Sequence, residues 1–470
     1  MSNIKRILLL QVILGLSLLQ TLCGQPPRLS LDEVLDKART NYPSIRGKLA
    51  AIRSSEADAQ SMRLSFLPQA GVQAQAFNAT SNQVRGASAS AGGLMIPITG
   101  VRTDGFNNQA AWTSAASMVI DWEAVTFGRR QARRNQANLS IEQAKADYES
   151  ELFLHQVRVC DAYLLALNLK KSVLLQISNL QRAKALQIIT RASTSGGLRP
   201  GIDSSVSAAE VARARLQVLE SQKMAQQQVL RLTELMGEPS LGYELDSLIF
   251  YHRLPDMNRV SGEKAYIHPQ LRVLQKQMAL GEANQTLLKA NALPSISVIG
   301  SLQGRGSGIS EATQKDGTFR IDPTLGAGLP LRAFNYIVGF TAIWRPTELF
   351  RVKPNLSAQR ERVRVSQEGY NQQKLALDAG SENANLQIEL AQATVRQAPL
   401  QLEAAQQAYA QSRARYESGL DNIQTLTQTA ALLNRAEVDQ ALAVNGLWRA
   451  LLLKAAADGN LEEFLNQILN

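Results

Sequence analysis

The stretch "WTSAASMVIDWEAVTFGRRQARR", residues 112–134, changes its periodicity partway along. From Trp112 to Trp122 the residues alternate. Trp112, Ala116, Met118, Ile120 and Trp122 fall on one face, with Thr113, Ala115, Ser117 and Asp121 on the other, the period-two pattern of a strand with unlike faces. From Arg129 to Ser195 the chain has neither Gly nor Pro for 67 residues, which predicts a helix of roughly 100 Å at ~1.5 Å per residue. A second strand, "FNYIVGFTAIW" at 334–344, places Phe334, Tyr336, Val338, Phe340 and Trp344 together. An apolar face with aromatics at both ends is the pattern of a strand that meets lipid. Ten steps from Trp112 to Trp122 give about 33 Å of strand, or roughly 23–25 Å of height at a tilt near 45°, which matches the apolar band of a membrane barrel. A hairpin in a soluble domain has the same alternation, so one strand taken alone does not decide between them.

The two strands belong to an internal repeat. Pro43 and Leu67-Pro68 recur 226 residues on as Pro269 and Leu293-Pro294. Trp122, Gly197, Arg213 and Gly237 recur 222 residues on as Trp344, Gly419, Arg435 and Gly459. Six anchors in order on two offsets indicate a tandem duplication with one indel in a Gly/Ser-rich loop. The chain therefore divides into a leader (1–24), a first repeat (25–240), a linker (241–266), a second repeat (267–460) and a C-terminal tail (461–470).

Each repeat follows one plan. A helix of about 20 residues (48–67 in the first) is expected to end at the Leu-Pro step, because proline disfavours helix in the residue before it. A strand pair, the long helix, a glycine-marked turn and a second helix (Ile202–Met236) follow. In the second repeat the long segment 355–418 is less clean, carrying Gly369, Gly380 and Pro399. Leu152, Val159, Ala166, Val173 and Leu180 recur every seventh residue, as do Phe153, Cys160, Leu167 and Leu174. Two adjacent tracks suit helices with neighbours on both sides, although a two-stranded coiled coil shares the spacing.

Residues 1–24 read as a secretory signal, with Lys5 and Arg6, the apolar run Ile7–Leu19, and "LCG" before Gln25. Lipidation of Cys23 is disfavoured by the bulky Leu22 before it. Removing Lys5 and Arg6 lowers the formal net charge from +10 to +8, and this excess is spread along helices, so nucleic acid is not an expected partner. Cys160 is then the sole cysteine, and no internal disulfide is possible. No later segment approaches ~20 uninterrupted apolar residues, so a transmembrane helix is not expected. Two hairpins give four strands, too few to close a barrel. A chain that spans a membrane this way must oligomerise, two copies giving eight strands and three giving twelve.

The duplicated halves, "IDWEAVTFGRRQARR" at 120–134, the Leu-Pro steps and "RYESGLDNIQTL" at 415–426 together resemble the TolC-like outer membrane efflux proteins, over about Leu29 to Gly459. The resemblance implies a mainly α fold with transmembrane β. A homotrimer would form a 12-stranded β-barrel, four strands per chain, continuous with a barrel of long helices through the periplasm. An equatorial belt would draw on 25–43, 237–268 and 446–470. It also implies a passive exit duct joined to an inner-membrane pump through a periplasmic adaptor, located in the outer membrane with a periplasmic extension. Trp112, Met118, Ile120, Trp122, Tyr336, Val338, Phe340 and Trp344 would face outer membrane lipid.

The resemblance places the periplasmic aperture at the two helix turns. Tyr416 and Gly419 match the family's Tyr-x-x-Gly, and the family's constricting carboxylates fall on Thr425 and Gln428, neither of which is acidic. Asp203 and Asp421, with Arg199 nearby, are the alternative candidates for a charged ring, and both also suit helix N-caps.

No enzyme chemistry or cofactor is indicated. His155, His252 and His268 are far apart, without zinc-site spacing, and are expected to be structural. "GRGSG" at 304–308 is expected in an extracellular loop. A soluble periplasmic coiled-coil scaffold or adaptor is the competing reading; it differs in where 112–122 and 334–344 reside.

Overall fold

The computed structural model describes residues 28–80, 88–91, 94–97, 108–197, 199–239, 244–256, 267–313 and 319–469. The expected leader 1–24, with Cys23, and much of the expected 241–266 linker lie outside these residues. The chain forms two compact units that cut across the repeats. One comprises 1–53, 142–278 and 365–470, the other 54–141 and 279–364.

The second unit is built on a four-stranded antiparallel sheet of β2 (Gln69–Ala79), β5 (Ala111–Val125), β7 (Ser295–Ser307) and β10 (Ala333–Ile343), in the order β10-β7-β5-β2. Two short pairs accompany it, β3 (Ser88–Ala91) with β4 (Leu94–Pro97) and β8 (Ile309–Thr313) with β9 (Phe319–Ile321). Register aligns Val72, Met118, Leu302 and Tyr336 in one row across all four strands, and the next row is Gln73, Ser117, Gln303 and Asn335. Directly opposed residues share a face, so at these two rows one face is apolar and the other amide- and hydroxyl-lined. The aromatic residues at the base are held alike in both repeats. Trp122 Nε1 donates to the Phe66 carbonyl (3.2 Å) and Trp344 Nε1 to that of Ala292 (3.3 Å), positions related by the 226 offset.

"GRGSG" is mostly strand rather than loop, since β7 runs through Ser307. Its glycines are there for close approach. A Cβ on Gly306 would lie 2.2 Å from the Pro330 carbonyl oxygen. The segment 322–332, with the short helix α7 (Leu325–Gly328), runs across the apolar face here, and Ser114 Oγ donates to the Leu329 carbonyl (3.0 Å).

The first unit holds most of the helical residues. α1 (Leu31–Asn41) opens with a capping box between Ser30 and Glu33. α2 (Pro43–Leu64) starts at a proline, suited to the first helical position, and ends three residues short of the expected Leu67, with Phe66 and Leu67 closing a tighter turn onto Arg63 and Leu64. α3 (Arg129–Ser195) has the expected bounds, and α4 (Gly201–Met236) and α9 (Ile423–Asp458) agree residue for residue under the 222 offset. α8 (Glu348–Glu417) is one continuous helix, so Gly369, Gly380 and Pro399 do not break it. Pro399 forfeits one helical hydrogen bond. Packing around it compensates: Ala398 is buried, and Ala405 packs with Leu433 and Ala436.

The main core gathers Phe153, Val159, Cys160, Tyr163, Leu164, Ala166 and Leu167 of α3 with α1, the end of α4, the end of α9 and α10 (Leu461–Leu469). α5 (Leu248–His252) contributes Phe250, and a parallel pair, β1 (Arg28–Leu29) with β6 (Glu244–Leu245), closes it. The Tyr163 hydroxyl ties that pair in place, 2.7 Å from the Asp246 carbonyl and 3.1 Å from that of Leu29. Most of the expected seven-residue tracks are covered, but Leu174 is exposed. α6 (Pro269–Asn291) completes the helices.

Gly237 and Gly459 end α4 and α9 in the left-handed region (φ +69° and +76°). A Cβ on Gly459 would meet His268 Cδ2 at 2.8 Å, and on Gly237 the Asn41 carbonyl carbon at 2.8 Å. Gly459→Ala is expected to cost about 2–4 kcal/mol, combining left-handed strain with overpacking. Gly446→Ala, mid-helix with open space at its Cβ, should stabilise by about 0.5–1 kcal/mol. Thermal unfolding of both variants checks the contrast.

Candidate functional site

Two helix turns, related by the 222 offset, lie together in the first unit. Gly197 (φ +71°) follows α3 and Gly419 (φ +80°) follows α8, each reversing the chain where a side chain would be strained. Arg199 bridges them. Its Nη2 donates to the Tyr416 carbonyl (2.6 Å) and its Nη1 to that of Asp421 (3.0 Å), with the guanidinium 4.5 Å from the Tyr416 ring centre. The Tyr416 hydroxyl donates to Asp203 Oδ2 (3.0 Å), completing a clasp from the first turn of α4 to the last turn of α8. Tyr416 is 2% exposed and Asp203 7%. Burial first, then the bond to Asp203, pushes the Tyr416 hydroxyl up to about 12, so it stays protonated and donating at physiological pH. Ile423 and Leu426, with Leu186, Val206 and Tyr409 against them, pack around the ring.

Neither aspartate caps its helix. Pro200 occupies the α4 N-cap without a side-chain bond, and Asp203, inside the first turn, is turned to Tyr416. The α9 N-cap is Asn422, whose Oδ1 accepts from the Thr425 amide (2.9 Å) and hydroxyl (3.1 Å). Asp421 accepts from the Asn422 amide (2.9 Å) and lies 3.6 Å from Arg415. Gln428 is exposed on the first turns of α9. Sequence reasoning missed two further ties: the Arg182–Glu437 bidentate pair between α3 and α9 (2.9 and 2.7 Å), and Ser381, Lys454 and Asp458, joined within 3.0 Å between α8 and α9. Their partners are 255 and 73 residues apart, beyond any local motif.

On the sheet, Met118, Ile120, Trp122, Tyr336, Val338, Phe340 and Trp344 are all exposed, Tyr336 and Phe340 at 78% and 81%. Trp112 differs, because the Gly328 backbone lies against its Cβ and half-buries it. The histidines are structural where described. His155 is buried, stacks on Tyr42 at 3.9 Å and lies 2.9 Å from the Leu235 carbonyl, with desolvation lowering its pKa. His268 lies 3.0 Å from the Ala456 carbonyl and is lowered by the same cause. The His252 side chain is outside the described residues. Burial pushes the Cys160 thiol up, which keeps it unreactive. Among the described residues no group of His, Cys, Asp or Glu is placed to hold a metal, and no helix is long and apolar enough to cross a membrane.

The family model for outer membrane efflux proteins matches residues 34–238 and 266–452. The chain belongs to the outer membrane efflux protein family. The pyoverdine export outer membrane protein OpmQ of Pseudomonas aeruginosa is 23% identical over 416 residues, covering 87% of this chain and 80% of OpmQ. Among solved structures, the Campylobacter jejuni CmeC outer membrane channel superposes with a TM-score of 0.71 at 13% identity, over 91% of this chain and 85% of CmeC. The open-state MtrE channel of Neisseria gonorrhoeae gives 0.69 at 16% identity, over 92% and 89%. These neighbours share the fold of long helices and a β-sheet, TolC-like as the sequence resemblance implied. As an outer membrane efflux protein the chain is a channel component of that membrane, which sets aside the soluble-scaffold reading. The two family segments fall on the two sequence repeats, and the clasp links a turn from each.

Proposed function

We propose that this outer membrane efflux protein is one subunit of a homotrimeric exit duct. Three four-stranded sheets would close a twelve-stranded barrel in the outer membrane, and the long helices would carry the bore into the periplasm. The observation that carries this is the sheet itself, with an apolar face, a polar face, and two edge strands, β2 and β10, without a partner in the sheet order. Edges left open in lipid would strand backbone donors and acceptors at several kcal/mol each, so neighbouring copies must supply the pairing. Twelve strands leave room for a water-filled lumen, whereas eight are filled by side chains. Solutes would pass without chemistry, delivered by an inner-membrane pump through a periplasmic adaptor that supply energy and choice of cargo. The segments converging on the main core, α1, α5, the end of α9 and α10, would form the equatorial belt. The clasped turns would form the periplasmic aperture, with Arg199, Asp203, Tyr416, Gly419 and Asp421 holding it shut.

The expected result is an outer-membrane protein that resists carbonate and high-salt extraction and has the native mass of three subunits. Release into the soluble periplasm, or a monomer in detergent, would reject the reading. Crosslinkers placed in 197–203 and 419–425 should capture the adaptor in cells.

A further inference from the structure

The apolar face of the sheet is not level. Register lines up Ala74, Ala116 and Gly304 with Phe334, and the row beside them is Val72, Met118, Leu302 and Tyr336. Three residues with little or no side chain thus lie next to a ridge of large ones. On their other side the 322–332 segment crosses the face, and a Cβ on Gly304 would come within 3.0 Å of Leu331 Cδ1 and 3.1 Å of the Phe334 ring. The result is a groove of 440 Å³, floored by Ala116 and Gly304 and walled by Met118, Leu302, Leu331 and Phe334. Leu302 and Phe334 remain 61% and 72% exposed, so the described chain leaves the groove open.

Beside this apolar groove the crossing segment is basic. Arg332 directly follows Leu331, and the register that pairs Ala333 with Arg305 carries Arg332 opposite Gly306, on the same face as the groove. Arg320 and Arg332 both lie close enough to Asp322 to act on its charge, while Asp322 Oδ1 accepts from the Thr324 amide (3.0 Å) and hydroxyl (2.6 Å). Among the described residues neither arginine is ion-paired, and both are exposed. Two arginines against one carboxylate leave an excess of one positive charge per subunit. This end of the sheet is the one away from the points where β5 and β10 lead into α3 and α8.

We propose that the groove holds an acyl chain of a phosphorylated outer-leaflet lipid, with Arg320 and Arg332 taking its phosphate. This rests on the trimeric duct reading, which puts the apolar face in lipid and the arginine end in the leaflet away from the periplasmic helices. Neither half of the site suffices for another ligand: a free anion has no use for the groove, and an uncharged hydrocarbon none for the arginines. Guanidinium matches phosphate geometry with paired hydrogen bonds, and basic pockets at a membrane surface select anionic headgroups. A chain seated in a trough gains contacts on several sides that a level face does not supply.

The test is native mass spectrometry of the full-length protein, purified from the outer membrane in detergent and titrated with lipid A or with zwitterionic phosphatidylcholine. Lipid A should be retained about tenfold more strongly than phosphatidylcholine, and Arg320→Gln/Arg332→Gln should lose that margin while keeping the mass of the trimer. Ala116→Leu fills the floor and keeps the face apolar, so it should weaken lipid A by about tenfold without disturbing assembly. Excess inorganic phosphate should not displace the lipid. Equal retention of the two lipids, or an arginine variant that binds as wild type does, overturns the inference and leaves the duct reading standing. Unchanged binding in Ala116→Leu, or displacement by inorganic phosphate, overturns it as well, because the groove then holds no chain. A protein that stays soluble without detergent and retains neither lipid overturns the lipid-face reading and the inference with it.

Discussion

Met118→Arg will prevent assembly in the outer membrane, and Ser117→Arg will not. The two residues are neighbours on β5, yet register sends them to opposite faces: Met118 to the row of Val72, Leu302 and Tyr336, Ser117 to the row of Gln73, Gln303 and Asn335. Met118 lies about midway between Trp112 and Trp122, near the centre of the apolar band. An arginine on the lipid face of a barrel costs about 2–4 kcal/mol at the midplane, so three symmetry-related copies would cost about 6–12 kcal/mol. That is as large as the whole stability of many domains. On the wet face the same side chain keeps its hydration, and a change within about 1 kcal/mol is expected. The measurement is the amount of trimer recovered from the outer membrane after carbonate washing. Equal recovery of the two variants would refute the assignment of faces.

How much of this could be foreseen differs from element to element. The bounds of α3 were legible because nothing between Arg129 and Ser195 disfavours a helix, and α9 followed from α4 through the 222 offset. Pro399 made the second long segment less clean than the first, but packing outweighs the local rule: Ala398 is buried, and Ala405 packs with Leu433 and Ala436 of α9. "GRGSG" misled for a related reason. Glycines in a row suggest a loop, whereas at Gly306 and Gly308 they make space for the 322–332 segment crossing the strand. At the turns, Arg199, Asp203 and Tyr416 were each visible as residues near a helix end. Their contact was not, since Arg199 and Tyr416 are 217 residues apart and the repeat reveals equivalence rather than touch. The cap on α9 was misplaced by one residue for a smaller reason. Asp and Asn cap equally well, and "LDNIQ" offers both in succession.

Loosening the clasp should open the duct. In Arg199→Ala/Tyr416→Phe the turns lose two charge-assisted bonds from Arg199 to the carbonyls of Tyr416 and Asp421, and the hydroxyl that satisfies Asp203. Bonds to charged groups contribute about 1.5–3 kcal/mol each, and Asp203, still 7% exposed in the intact clasp, would be left buried without its partner. Even half of that loss, felt by the closed form alone, raises the open population by more than about tenfold, since 1.4 kcal/mol is a factor of ten. The open population is read as single-channel conductance in bilayers and, in cells, as sensitivity to a large antibiotic that the outer membrane excludes. Asp203→Asn separates gating from mere stability. An amide oxygen still accepts the Tyr416 hydroxyl without the charge, so its conductance should lie between wild type and the double variant while the trimer keeps its thermal midpoint within a few degrees. If the double variant lowers the thermal midpoint and leaves conductance unchanged, the clasp stiffens the helix ends without controlling passage, and the aperture must be sought elsewhere.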